Sequence, residues 1–168
     1  AITDTSVTYV NTSGNIWTAA YTTESGDTTG SVTYSIAFSD SDGNAGTAVT
    51  SGSGSVTFDK TVPTLSSVGI ASNNSTTTLA KVADVVTLTF TASETIATPV
   101  VTFVSGGAAI TNTSVTYVNT SGNIWTAAYT ANASDTDGSV TYSIAFSDSA
   151  GNAGTAVTSG SGSVTFDK

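Results

Sequence analysis

A long internal duplication restricts the fold of this chain more than any other feature of its sequence. Residues 1–60 align with residues 109–168 at a constant offset of 108 positions, and only seven of the sixty aligned pairs differ. Such close similarity indicates a recent duplication, so the chain is predicted to hold one and a half units of a tandem array. Residues 61–168 then form one complete unit of about 108 residues, and residues 1–60 form the C-terminal half of another.

The complete unit contains seven short segments that alternate between apolar and polar side chains and are separated by turn-forming residues. Val86, Leu88 and Phe90, for example, share one face of a segment whose other face carries threonines. The predicted strands, A to G, are 65–72, 85–93, 100–104, 114–118, 124–130, 139–147 and 163–167. The pattern predicts an all-β fold: a seven-stranded antiparallel immunoglobulin-like β-sandwich, with Trp125 and Tyr142 in its core.

Residues 1–60 supply only strands D to G of their own unit. Their apolar face therefore lacks the partners that strands A, B and C would provide. It consists of Val7, Trp17, Tyr21, Tyr34, Ile36 and Phe38. Three arrangements remain open: the native chain continues upstream, another chain donates the missing strands as in a strand-complemented fibre, or one sandwich closes over residues 1 to about 108 and leaves the C-terminal half incomplete.

Composition excludes several classes of function. The net charge is −9, with three lysines and no arginine, which argues against nucleic-acid binding and against attraction to anionic membranes. The chain has no Cys, His or Met, so disulfides, thiol or imidazole catalysis and Cys/His metal sites are excluded. Without His, the usual serine triad is also excluded, and no apolar run approaches membrane-spanning length. The chain is therefore predicted not to be an enzyme and not to insert into a membrane.

Almost all carboxylates fall in the loops, which a sandwich collects at its two ends. If stacked units bring such ends together, the carboxylates repel one another unless a cation neutralises them, and calcium takes carboxylate, amide and backbone oxygens. The candidate metal ligands are Asp27, Asp40, Asp59, Glu94, Asp148, Asn152 and Asp167. The alternative interpretation is that these are ordinary polar loop residues.

The segment FSDSDGNAG at 38–46, repeated as FSDSAGNAG at 146–154, is the strongest candidate for a local motif. An EF-hand would need Gly at its sixth position and Glu at its twelfth, whereas Gly43 and Ser51 stand at positions four and twelve. A catalytic pair formed by Asp40 and Asp42 is disfavoured because the second copy has Ala150 in place of Asp42. The segment is therefore predicted to be the hairpin between strands F and G, with Asp40 and Asp148 as its metal candidates.

Three motifs resemble the bacterial immunoglobulin-like repeats of giant surface adhesins and biofilm-associated proteins. They are DKTVPTL at Asp59–Leu65, VTLTFTASE at Val86–Glu94 and SDSAGNAGT at Ser147–Thr155. The resemblance implies an extracellular stalk at a bacterial cell surface or in an extracellular matrix or fibre, with structural calcium between domains. It implies neighbouring repeats or identical chains as partners, and a glycan or other surface target reached through other domains.

The sequence therefore predicts a structural, non-catalytic spacer. Two alternatives remain: a self-assembling filament subunit completed by strands from another chain, and a carbohydrate-binding module. The second of these is weakened because Trp125, Tyr129 and Tyr142 alternate as core residues do, although the loops could still bind a sugar.

Overall fold

The computed structural model describes residues 6–168, and every regular element among them is a β-strand. The strands are β1 (Thr8–Ser13), β2 (Ile16–Ala20), β3 (Gly30–Ser31), β4 (Thr57–Phe58), β5 (Leu65–Ser72), β6 (Leu79–Ala80), β7 (Val85–Ala92), β8 (Val100–Ser105), β9 (Ala108–Ala109), β10 (Thr116–Ser121), β11 (Ile124–Thr130), β12 (Gly138–Ala145) and β13 (Val164–Phe166). The prediction of an all-β fold is confirmed. The chain forms two compact units, the first ending at Thr61 and the second spanning Val62–Lys168.

The second unit consists of two sheets. One has the strand order β10-β11-β7-β5, and the other has the order β6-β13-β12-β8-β9. The rings of Phe103 on β8 and Tyr129 on β11 lie 4.8 Å apart between their centroids, so side chains of the two sheets meet in a common core. This is a sandwich-like arrangement.

The core follows directly from the alternation in the sequence. On β7 the side chains of Val86, Leu88 and Phe90 are fully buried, while Thr89 between them is exposed. Trp125 and Tyr142 are buried as predicted. Burying a large apolar side chain contributes roughly 1.5–3 kcal/mol. The buried apolar side chains of the strands therefore provide most of the free energy that holds the two sheets together.

Two features of the second unit differ from the sequence-based prediction. The short strands β6 and β9 were not predicted, because two residues are too few to show an alternation. In addition, β6 pairs with β13 in parallel, with Thr165 opposite Leu79 and Phe166 opposite Ala80, so the sheets are not purely antiparallel. After β5 the chain turns and joins the other sheet, where it covers the edge of β13.

The first unit retains the hairpins of the duplicated half but loses much of its strand structure. The β1–β2 pair has the same register and the same irregularity as the β10–β11 pair. The sequence GSVTYSIA forms the eight-residue strand β12 in the second unit, whereas the identical residues 30–37 form only the two-residue strand β3. Because the sequences are the same, the difference arises from the missing neighbouring strand.

Candidate functional site

The hairpin after β12 is organised by one carboxylate. Asp148 Oδ1 accepts the backbone N–H of Asn152 at 2.8 Å, and Asp148 Oδ2 accepts the side-chain amide of the same residue at 2.7 Å. Gly151, at φ 96°, supplies the left-handed backbone conformation that the turn requires. Beyond the turn, Ser147 pairs with Ala153. The sequence Asp-Ser-Ala-Gly-Asn therefore folds locally into a closed loop around the Asp148 side chain.

Asp148 is also packed against the loop that follows β7. Ile96 forms an antiparallel bridge with Asp148, and Ala97 N–H donates to Ser147 O at 2.9 Å. This contact leaves the Asp148 residue only 4% exposed. The side-chain hydrogen bond from Asn152 is the main cause of a lowered Asp148 pKa; burial opposes it, and backbone N–H groups add to it. The carboxylate is therefore held ionised in a nearly buried position.

Glu94 lies on that same loop and is half-buried. One of its carboxylate oxygens is within 4.8 Å of a carboxylate oxygen of Asp148. In an alternating seven-stranded order, the loop after strand B and the hairpin after strand F lie at the same end of the sandwich, and the structure brings Glu94 and Asp148 together within the second unit. With Asn152 adjacent, this end presents carboxylate and amide oxygens, the groups that hard divalent cations bind.

Asp167 lies at the other end of the second unit. Its N–H donates to Ala80 O at 3.0 Å, and the preceding residue pairs with Gly138 at the start of β12, whereas Asp148 follows the end of that strand. Asp167 is thus separated from Asp148 by the length of an eight-residue strand, about 26 Å. The two residues therefore cannot belong to one site.

In the first unit, Asp40 repeats the hairpin geometry of Asp148. Its Oδ1 accepts the N–H groups of Asp42 at 3.0 Å and Asn44 at 2.8 Å, and its Oδ2 accepts the Asn44 amide at 2.9 Å. The hydrogen bond from the Asn44 side chain is the main cause of a lowered Asp40 pKa. Asp40 is exposed, whereas Asp148 is buried, because only the second unit has the loop that carries Ile96.

The remaining metal candidates of the first unit take part in local turns. Asp27 is 3% exposed, accepts the N–H of Glu24 at 2.9 Å and is hydrogen-bonded by the Tyr21 hydroxyl. Asp59 is half-buried and accepts the N–H of Thr61 at 2.9 Å. Metal binding by both residues stays a prediction.

Asp135 is a buried carboxylate that was not among the candidate residues predicted from the sequence. It is the counterpart of Asp27, it is 1% exposed, and it accepts the N–H groups of Thr111 at 2.7 Å and Asn132 at 2.9 Å. Burial raises the pKa of this carboxyl, but the hydrogen bonds from Thr111 and Asn132 outweigh burial and leave the pKa below its usual value. The signal was present in the duplication: positions 23–26 and 29 all differ between the copies, yet the aspartate at 27 and 135 is unchanged.

The aromatic residues considered for sugar binding are mostly in the core of the second unit. Trp125, Tyr129 and Tyr142 are at most 9% exposed and do not form an open stacking platform. A surface groove of about 330 Å³ lies between β5, β7 and the C-terminal stretch, and it is lined by Ser, Thr, Gly, Ala and Ile residues. Its lining offers hydroxyl groups without an aromatic face.

The protonation state of Asp148 is unsuited to acid catalysis. Glycoside hydrolysis needs one carboxyl group with a raised pKa that can donate a proton. The pKa of Asp148 is lowered, and its oxygens are already fixed by Asn152. A preorganised, ionised carboxylate beside a second one suits a cation that neutralises both.

No protein-family model, curated protein or solved structure matches the chain. Within residues 6–168, no helix is long and apolar enough to cross a membrane.

Proposed function

We propose that the protein is a structural, non-catalytic repeat that acts as a spacer in an extracellular bacterial adhesin, biofilm or fibre protein. The observation that carries this proposal is the path of the chain through the second unit. The chain enters beside the loop that bears Glu94, where Ser93 N–H donates to Thr64 O at 2.9 Å. It leaves at Asp167, beyond the opposite end of β12. Units of this kind add length when they are linked in series.

We also propose that the second unit is an immunoglobulin-like sandwich. With β5, β7, β8, β10, β11, β12 and β13 as strands A to G, one sheet has the order D-E-B-A and the other contains C-F-G. This grouping supports the proposal, because a constant-type immunoglobulin domain has strands A, B, E and D in one sheet and C, F and G in the other. The short strands β6 and β9 extend the second sheet at its edges.

The spacer function is tested by length. Proteins carrying one, two and three added copies of Val62–Lys168 should show a maximum dimension, by small-angle X-ray scattering, that grows by a constant step. That step should be at least the ~26 Å length of an eight-residue strand. A maximum dimension that stays constant as copies are added would contradict the proposal.

The Glu94–Asp148 pair is proposed as the centre of a structural calcium site. Two carboxylates within 4.8 Å of each other repel, and a bound divalent cation removes that repulsion. Calcium that binds only the native state should raise the thermal midpoint of the second unit by roughly 10 °C at a hundredfold excess over its Kd. A chelator should reverse the increase.

Matched variants identify the ligands in that experiment. Glu94→Gln and Asp148→Asn should each abolish most of the calcium-dependent increase, and Glu94→Gln leaves the hydrogen bonds of the Asp148 hairpin intact. Asp167→Asn, at the other end of the unit, should retain the increase. An identical midpoint with calcium and with chelator in the parent protein would end the calcium proposal but leave the spacer proposal standing.

A further inference from the structure

In the second unit, β10 is the edge strand that is both long and uncovered. Among residues 6–168, β10 pairs with β11 alone. At the opposite edge of the same sheet, β5 is covered by the C-terminal stretch, since Ser161 N–H donates to Val68 O at 2.8 Å and Ile70 N–H donates to Ser161 O at 3.0 Å. The other sheet ends in β6 and β9, which have two residues each. The six residues of β10 therefore form the longest open hydrogen-bonding edge of this unit.

The sequence of β10 does not protect this edge from pairing with another chain. TYVNTS contains no proline and no charged residue, which are the residues that usually block an edge strand. A register irregularity occurs only at the hairpin end of the strand, beyond Asn119. The hydroxyls of Thr116 and Thr120 still donate to carbonyl oxygens of β11 in the same way, both at 3.3 Å. The edge is therefore suited to β-strand addition.

The side chains of β10 are arranged symmetrically about Val118. Tyr117 points towards the other sheet, where its hydroxyl accepts the N–H of Val101 at 2.9 Å. Thr116, Val118 and Thr120 lie on the outer face and are all exposed. If a second β10 pairs antiparallel with Val118 opposite Val118, Thr116 faces Thr120, and every outer residue meets a β-branched partner. The strand is thus complementary to itself.

The distribution of charge also favours a second copy of the chain at this edge. The net charge is −9, so most approaches between two copies bring like charges together. No charged residue, however, lies between Thr95 and Ser134. Strands β8, β9, β10 and β11 all fall within that range. Two copies that meet along β10 therefore meet through uncharged strands.

We propose that two copies of the chain pair their β10 strands antiparallel about a two-fold axis at Val118, which joins two four-stranded sheets into one sheet of eight strands. Such a contact buries less than the roughly 1,200 Å² of a stable interface, so a single pair of chains forms a weak, reversible dimer. In linked units the contact would recur along the array and hold neighbouring arrays side by side. This last step rests on the proposed spacer function, whereas the pairing itself does not.

The absence of cysteine from the chain allows a test that reads the register directly. In Val118→Cys, the two Cβ atoms of a pair would lie about 5 Å apart, so a small adjustment allows a disulfide. In the matched control Thr116→Cys, the two thiols would lie about 13 Å apart along the paired strands, which is too far. All chains in the test carry Val10→Lys, because β1 has the same sequence as β10 and could pair in its place.

Mild oxidation should convert most of the Val118→Cys chain to a covalent dimer and leave the Thr116→Cys chain monomeric. An equimolar mixture of the Thr116→Cys and Thr120→Cys chains should form the mixed dimer, because these positions face each other in the proposed register. Equal cross-linking of Val118→Cys and Thr116→Cys would indicate random collision and would overturn the proposal. Absence of the mixed dimer would overturn the register.

Sedimentation without any introduced cysteine gives an independent measurement. The Val10→Lys chain should form a reversible dimer at concentrations approaching about 1 mM. Adding Val118→Lys should abolish the dimer, whereas adding Val100→Lys should retain it, because Val100 is 63% exposed on β8 and away from the edge. Thermal unfolding followed by circular dichroism checks that both variants are folded. A chain that stays monomeric, or a dimer that survives Val118→Lys, would contradict the proposal and leave the spacer function untouched.

Discussion

At the level of single residues, the second unit contains buried polar atoms that lack a hydrogen-bond partner among residues 6–168. They are Trp125 Nε1 and the hydroxyl oxygens of Tyr129 and Tyr142. Burial, together with the nearby Asp135 charge, raises the pKa of Tyr129 to about 12. The buried Tyr129 hydroxyl is therefore kept neutral.

Replacing Tyr129 by Phe removes this hydroxyl and should change how stability depends on pH. Below pH ~10, where unfolded tyrosine is protonated, we expect the variant to match the parent or to be more stable by up to about 1 kcal/mol. A raised native pKa means that stability is fully present below the unfolded pKa and is lost as the pH rises towards the native value. The parent should therefore lose stability between pH ~10 and ~12 relative to the variant.

Denaturant unfolding followed by circular dichroism across this pH range measures the effect. Two curves that stay parallel from neutral pH to pH ~12 would contradict the raised pKa. The control is Tyr9→Phe. Tyr9 is 70% exposed, so at neutral pH this variant should unfold at the same denaturant concentration as the parent.

The sequence indicates at which end of the sandwich Glu94 and Asp148 lie, but it does not indicate that Asp135 is buried. Glu94 and Asp148 follow the ends of apolar segments, so their position at one end of the sandwich could be derived from strand order. The burial of Asp135 depends on the N–H of Thr111, 24 residues away, and no local pattern specifies that contact.

At the level of strands, the structure shows how well the alternation of apolar and polar residues predicts where a β-strand forms. Val86, Leu88 and Phe90 alternate with threonines, and the predicted strand B at 85–93 matches β7 to within one residue. The stretch GSVTYSIA alternates equally well in both copies but forms a full strand only where β8 lies beside it. Alternation predicts which face is apolar, whereas strand formation requires a hydrogen-bonding neighbour.

The C-terminal stretch reaches β5 through residues that are too small to obstruct it. Ser161 N–H donates to Val68 O at 2.8 Å, and Ile70 N–H donates to Ser161 O at 3.0 Å. Gly162 has φ 76°, and a Cβ there would lie 2.3 Å from Ile70 O. Only glycine allows this close approach.

Gly162→Ala should therefore destabilise the second unit by roughly 2–4 kcal/mol, from the left-handed backbone and the steric overlap together. The duplication supplies the control, because Gly54 in the first unit also has positive φ, at 81°, but an added Cβ there would have no atom of residues 6–168 within 4 Å. Gly54→Ala should leave the main unfolding transition unchanged in thermal and denaturant unfolding. Equal losses of unfolding free energy in Gly162→Ala and Gly54→Ala would contradict the close contact between position 162 and Ile70 O.

At the level of the whole molecule, the two units carry the same side chains with different consequences for stability. Phe146 is 7% exposed and Phe38 is 55% exposed, although both follow the sequence SIA. Phe146→Ala should cost about 3–4 kcal/mol of unfolding free energy, because it leaves a cavity in a closed core. Phe38→Ala should change it by less than about 0.5 kcal/mol.

Chemical denaturation of the full chain measures both effects. A loss of more than ~2 kcal/mol for Phe38→Ala would mean that the first unit is closed in solution. Closure of the first unit by another copy of the chain would give the same loss. The denaturation should therefore be repeated at low protein concentration, where copies of the chain dissociate.

The parallel pairing of β6 with β13 and of Gly69 with Ser161 determines how the second unit would respond to tension. Because the chain enters at one end and leaves at the other, a force applied to its two termini pulls these parallel neighbours in opposite directions along their length. Their hydrogen bonds would then be loaded together in shear and could not open one after another, as they do when a hairpin is peeled apart. A linked series of such units would resist extension until one of them yields abruptly, and each rupture would release a fixed length of chain.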